Sequence, residues 1–159
     1  MPFCAPVGAE GLQSFKIRYC AGIVAALEFL ARKMHDATEN SVRPVVLIVE
    51  DEVLLRMHAT AVIEAAGFDT VEASNADDAI AILEARKDIR VVFTDIEMPG
   101  MDGLKLSRAI RDRWPPIEII LTSGKRHPQA DDLPERGQFF PKPYNPDALI
   151  AAITHFANC

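Results

Sequence analysis

Asp95 closes a short β-branched and aromatic run, Val91-Val92-Phe93-Thr94, and the turn Glu97-Met98-Pro99-Gly100-Met101-Asp102-Gly103 follows at once. Such a run reads as a buried parallel strand. In an open α/β sheet, ligands bind in the crevice outside the carboxyl ends of the strands. Two more apolar runs end in reactive groups: Val45 to Val49 leads into Glu50-Asp51-Glu52, and Ile117 to Leu121 leads into Thr122-Ser123-Gly124. Phe139-Phe140-Pro141 delivers Lys142-Pro143. Glu50, Asp51, Asp95, Thr122 and Lys142 would therefore meet at one edge of one sheet. Carboxylates that close repel one another without a cation. The acids thus call for a metal, and their hard oxygens suit Mg²⁺. The hydroxyl and the ammonium suit the oxygens of an anion.

The elements that must position these groups alternate β with α. A helix is expected from Glu52 to Ala66, ended by Gly67, a residue type common just past a helix C-terminus. A strand from Phe68 to Ala73 follows, and Ser74 or Asn75 can cap the next helix, whose apolar face carries Ala79, Ile80 and Leu83. Asp102 can cap a third helix, with Leu106 and Ile110 on one face, until Trp114-Pro115-Pro116 stops it. Near the end Asn145 caps and Pro146 takes the first helical position, while Leu149, Ile153 and Phe156 face inward. This alternation argues for a parallel sheet covered by helices on both faces. One connection breaks the rhythm. From Lys125 to Gly137 the chain has Pro128 and Pro134, with Leu133 its one large apolar residue. A helix there would have no face to bury, so a loop or a single turn is expected.

Taken together, Glu50-Asp51, Asp95, Thr122 and Lys142-Pro143 resemble the pattern of receiver domains in two-component response regulators, over Pro44 to about Phe156. The resemblance implies a five-stranded, doubly wound parallel sheet of flavodoxin-like type, here with the fourth helix shortened or replaced by a loop. It implies that Asp95 accepts a phosphoryl group as nucleophile and that Thr122 and Lys142 bind the phosphoryl oxygens. It implies Mg²⁺ held by Asp51, Asp95 and the backbone carbonyl of Glu97, with Glu50 acting largely through water. A cis Lys142-Pro143 bond would aim the lysine inward, and Gly100 and Gly103 would let the loop after Asp95 turn tightly. Switching in the family couples Thr122 to an aromatic residue three before the lysine. Here that residue is Phe139, which lacks the hydroxyl of a Tyr.

The function implied is a single-domain response regulator, not a classical enzyme. It would take phosphate from a sensor histidine kinase or a histidine phosphotransfer protein, then signal by partner binding or serve as a phosphate sink. The alternative is a pseudo-receiver adaptor that is never phosphorylated; the degraded fourth helix speaks for it, the complete acid, hydroxyl and lysine set against it. A haloacid-dehalogenase-type phosphatase fits less well. Such enzymes want an Asp two residues after the nucleophile, where this chain has Glu97, and a longer chain with a cap. Each residue also has an ordinary reading alone: Thr122-Ser123-Gly124 as a turn, Lys142 as a surface lysine, Glu52 and Asp102 as solvated acids. His35, His58, His127 and His155 show no metal-ligand spacing.

Composition agrees. Hydrophobic residues at 49% and charged residues at 25% suit a soluble globular chain with a core. A net charge of -6 without Lys/Arg clusters disfavours nucleic acid as a partner. Cys4, Cys20 and Cys159 fit neither a disulfide framework nor a metal site, and no apolar run reaches membrane-spanning length, so a cytoplasmic protein with no membrane partner is expected. Residues 1–40 read as an N-terminal extension to a receiver over 41–159. Leu12, Phe15, Tyr19, Ile23, Leu27, Leu30 and Met34 fall on one helical stripe. That stripe marks a self-association or partner helix over 12–34, a helix packed loosely on the domain, or sequence ahead of a true start at Met34.

Overall fold

The computed structural model describes residues 43–157. The elements run β1 (Val45–Val49), α1 (Val53–Ala65), β2 (Asp69–Ala73), α2 (Ala76–Ala85), β3 (Ile89–Asp95), α3 (Gly103–Arg113), β4 (Glu118–Ser123), a single 3₁₀ turn (Ala130–Asp132), β5 (Gly137–Pro141) and α4 (Pro146–Ala157). The expected stripe over 12–34 lies outside the described residues. All neighbouring strands pair in parallel, in the order β2-β1-β3-β4-β5.

The alternation of side chains along each strand divides the core in two. Val45, Leu47 and Val49 of β1 join Ala79 and Leu83 of α2 and Leu106 and Ile110 of α3 on one face. Val46 and Ile48 join Ala59 and Ile63 of α1 and Leu149 and Ile153 of α4 on the other, with Phe93 and Ile120. Burying one such side chain stabilises the fold by roughly 1.5–3 kcal/mol. The central strands β1 and β4 are buried along their whole length, whereas the edge strands β2 and β5 are mostly exposed or half-buried.

The expected caps form. Asn75 accepts from the Asp78 amide at 2.8 Å, Asp102 from the Lys105 amide at 2.9 Å, and Asn145 from the Asp147 amide at 2.8 Å. Phe156 and Ile80 are only half-buried, each packed at the margin of its core face. Between β4 and β5 no α-helix forms. None of residues 124–140 is buried; Leu133, Phe139 and Phe140 reach only the core margins. The far end of this connection is tied down where Arg136 pairs with the buried carboxylate of Glu118.

Candidate functional site

The strand order creates the site. After β1 the chain steps outward to β2, and then crosses back over β1 to form β3. β1 and β3 therefore lie side by side while their outgoing connections diverge. Such a switch point leaves a crevice at the carboxyl ends of the strands. Glu50 and Asp51 stand at the end of β1, and Asp95 ends β3. In the ladder Asp95 lies directly opposite Thr122, and Ser123 lies opposite Pro141, one residue before Lys142. Register alone thus brings together groups that are 92 residues apart in the chain.

Glu50 and Asp95 are buried, at 3% and 5% exposure, while Asp51 is exposed at the crevice mouth. Each of the three offers a carboxylate oxygen, and these oxygens lie within 4.8 Å of one another. Lys142 closes the cluster from the β5 side. Its Nζ donates to Glu50 Oε2 at 2.8 Å and lies 3.0 Å from Asp95 Oδ2. Burial works against the lysine's charge, but the hydrogen bonds to Glu50 and Asp95 prevail and hold its pKa above the usual value. Glu50 is pushed up by burial, with Asp95 adding to the effect, despite the Lys142 bond.

Two polar atoms in the crevice are buried without a hydrogen-bond partner: Asp95 Oδ1 and Thr122 Oγ1. An unpaired buried oxygen costs on the order of 1–3 kcal/mol. Both would be satisfied by a cation and an anion arriving between β3 and β4. The hard-oxygen donor set fits Mg²⁺.

The turn after Asp95 is shaped by glycine. Gly100 has φ of 80°, a left-handed conformation. A Cβ at Gly103 would overlap the backbone carbonyl of Asp95, so α3 can start this close to the acid only with glycine there. Lys142-Pro143 is cis, as expected. Phe139 is half-buried and meets the His127 ring edge-on at 5.9 Å between centroids.

Three contributors escaped the sequence reading. Arg56 donates to the backbone carbonyl of Glu50 at 2.6 Å and to Glu72 at 3.1 Å, bracing the acidic turn against α1 and β2. Its position one turn into α1, facing back toward Glu50, was the available signal. Ser123 and the side chain of Glu97 bond each other at 2.7 Å. The sequence points to Glu97 through its carbonyl and its place two residues after Asp95, not through this side-chain bond. Among the described residues Glu50, Asp51 and Asp95 form the one acid cluster able to hold a metal, and no helix is long and apolar enough to cross a membrane.

Comparison with known proteins gives one consistent picture. The family described as "Response regulator receiver domain" matches residues 46–154. The chain is 34% identical over 134 residues to "Sensor kinase CckA" of Brucella abortus, covering 82% of this chain and 14% of that protein. It is 33% identical over 121 residues to "DNA-binding transcriptional regulator NtrC" of Salmonella typhimurium, covering 72% of this chain and 26% of that protein. The chain thus spans a minor part of these curated relatives. Among solved structures, a response regulator receiver protein from Pseudomonas putida superposes with a TM-score of 0.66 at 31% identity, covering 71% of this chain and 97% of that one. One from Sinorhizobium medicae gives 0.67 at 26% identity, covering 74% and 96%.

Proposed function

The chain belongs to the response regulator receiver family, and from that premise we propose that Asp95 accepts a phosphoryl group from a phosphohistidine. The donor is a sensor histidine kinase or a histidine phosphotransfer protein. An Asp95 oxygen attacks phosphorus, the O–P bond forms, and the P–N bond breaks, with its electron pair returning to the donor imidazole. Water attacking the same phosphorus later restores the carboxylate and releases inorganic phosphate. The observation that carries this reading is the pair of unpartnered, buried oxygens, Asp95 Oδ1 and Thr122 Oγ1, on residues paired in the β3–β4 register, with Lys142 Nζ 3.0 Å from Asp95 Oδ2.

Phosphoryl transfer asks a protein chiefly for placement and charge compensation. Thr122 donates its hydroxyl to one phosphoryl oxygen. Lys142, already 3.0 Å from Asp95 Oδ2, takes another. Asp51, Asp95 and the Glu97 carbonyl would hold Mg²⁺, with Glu50 supporting it through water, and the ion would supply positive charge for the crowded acids and the phosphoryl oxygens. The first turns of α1 expose Val53, Leu54 and Met57 beside the site, at 55%, 73% and 58% exposure. A groove lined by Leu55, His58, Pro143 and Tyr144 opens next to Lys142. Apolar surface this close to the acceptor suits the docking face of the donor. Thr122 and Phe139 act as the switch pair, and the signal passes by partner binding or by draining phosphate from the donor. The division into an extension over 1–40 and a receiver over 41–159 belongs to the same proposal.

Intact-mass measurement after incubation with acetyl phosphate and Mg²⁺ tests the reading. One phosphate is expected on the wild type and none on Asp95→Asn. A wild type that takes no phosphate favours the adaptor reading instead.

A further inference from the structure

Glu97 follows Asp95 by two residues, and its carboxylate leaves the β3–α3 turn to reach the start of the next connection. Oε1 accepts from the Ser123 hydroxyl at 2.7 Å and from the Arg126 amide at 3.0 Å. Ser123 Oγ in turn accepts from the Arg126 amide at 2.7 Å and from the Lys125 amide at 3.2 Å. The Arg126 guanidinium adds a longer contact, 3.9 Å, to Asp102 at the start of α3. Ser123 is fully buried, and it is the neighbour of Thr122. Partial burial works to raise the pKa of Glu97, but the hydrogen bonds from Ser123, Gly124 and Arg126 overcome it and leave the group below the usual range.

The two connections that leave β3 and β4 are fastened together at this point and at few others. A backbone bond nearby joins Ile96 to Thr122 at 2.9 Å, and another, from Lys142 to Ser123 at 2.8 Å, ties the end of β5 to β4. The Glu97 carboxylate, with Ser123 and the longer Arg126–Asp102 contact, links the turn after β4 to the turn after β3, and no α-helix follows that turn to hold it. Resting on the proposed phosphoacceptor role, we infer that the Glu97 side chain is a positioning residue, which through Ser123 and the Arg126 amide fixes the Thr122 hydroxyl relative to Asp95. A helix in this connection would brace the threonine by packing; here a carboxylate does so by hydrogen bonds. Small displacements of a positioned group slow a transfer steeply.

The test uses the full chain with acetyl phosphate and Mg²⁺, in wild type, Glu97→Ala, Glu97→Gln and Ser123→Ala. Amide exchange at Lys125 and Arg126 in the resting protein reports whether the clasp is closed, independently of any phosphate. Glu97→Ala and Ser123→Ala should each speed that exchange and slow phosphorylation by about tenfold. A protein carrying both Glu97→Ala and Ser123→Ala should be no slower than the slower single variant, because both act through one link. Glu97→Gln keeps an acceptor oxygen and loses the charge, so its rate should fall by no more than about threefold. Glutamine as slow as alanine would overturn the clasp in favour of a charge effect. Fast exchange with an unchanged phosphorylation rate would overturn the positioning role while leaving the phosphoacceptor reading intact. A wild type that takes no phosphate would overturn that reading, and this role with it.

Discussion

The connections that leave β3 and β4 begin side by side, at the register pair Asp95 and Thr122, and then part company. After Asp95 the chain turns inward. Ile96 is fully buried, Met98 is 8% exposed, and Leu106 and Ile110 carry α3 into the core. After Ser123 the chain turns outward, and no residue from 124 to 140 is buried. One connection is anchored by apolar burial, spread over many contacts. The other is anchored by a few polar links, Glu97 at its start and Arg136–Glu118 at its end. Each polar link contributes on the order of 1–3 kcal/mol, and there are only a few of them. Asp95 thus sits where a connection packed into the core begins, and Thr122 sits one residue before the exposed one.

That contrast sets the sizes of the effects to expect. Leu106→Ala, in the anchored connection, should lower unfolding stability by about 2–5 kcal/mol. Leu133→Ala, in the other, should cost less than about 1 kcal/mol. Urea denaturation midpoints measure both, and equal losses would erase the distinction between the two connections.

Next in size is metal binding. Asp51 is the exposed member of the acid cluster, so its removal disturbs packing little while deleting a ligand. Calorimetric titration should show Mg²⁺ affinity falling at least about tenfold in Asp51→Ala, or ~1.4 kcal/mol. Trp114 is a poor reporter of this event, because it follows α3 and precedes β4, at the opposite end of the sheet from Thr122. Unchanged affinity would mean that the ion is held elsewhere.

The smallest effect concerns pH in metal-free buffer. Burial, with Asp95 adding to it, raises the Glu50 pKa above its ordinary 4.5. A carboxyl with a raised folded pKa favours the fold when protonated. Its stabilisation is complete below the unfolded value and is lost as pH rises through the folded one. Between acid and neutral pH the thermal midpoint of Glu50→Gln should therefore change less than that of the wild type. The raised Lys142 pKa acts only at alkaline pH, as its ordinary value is 10.5, so it leaves this window untouched. A steeper dependence in Glu50→Gln would reverse the sign argued for Glu50.

Much of this was legible in the sequence because it depends on local rules. Strand-end placement of Asp95, Thr122 and Lys142 follows from where apolar runs stop, and two prolines with a lone Leu133 rule out a helix in the β4–β5 connection. The caps at Asn75, Asp102 and Asn145 are likewise local. The Glu97–Ser123 bond spans 26 residues and depends on two neighbouring turns meeting, which no periodicity encodes. Arg56 escaped for a related reason: its target is a backbone carbonyl, and carbonyls have no signature of their own in a sequence.

The most direct measurement chemically marks the phosphorylated atom. Full-length protein is treated with acetyl phosphate and Mg²⁺, reduced with borohydride, digested and sequenced by mass spectrometry. An acyl-phosphate on Asp95 is reduced to homoserine, so homoserine at position 95 alone is the expected result. Homoserine at Asp51 or another acid, or unaltered Asp95 in protein that has gained a phosphate, would contradict Asp95 as the acceptor.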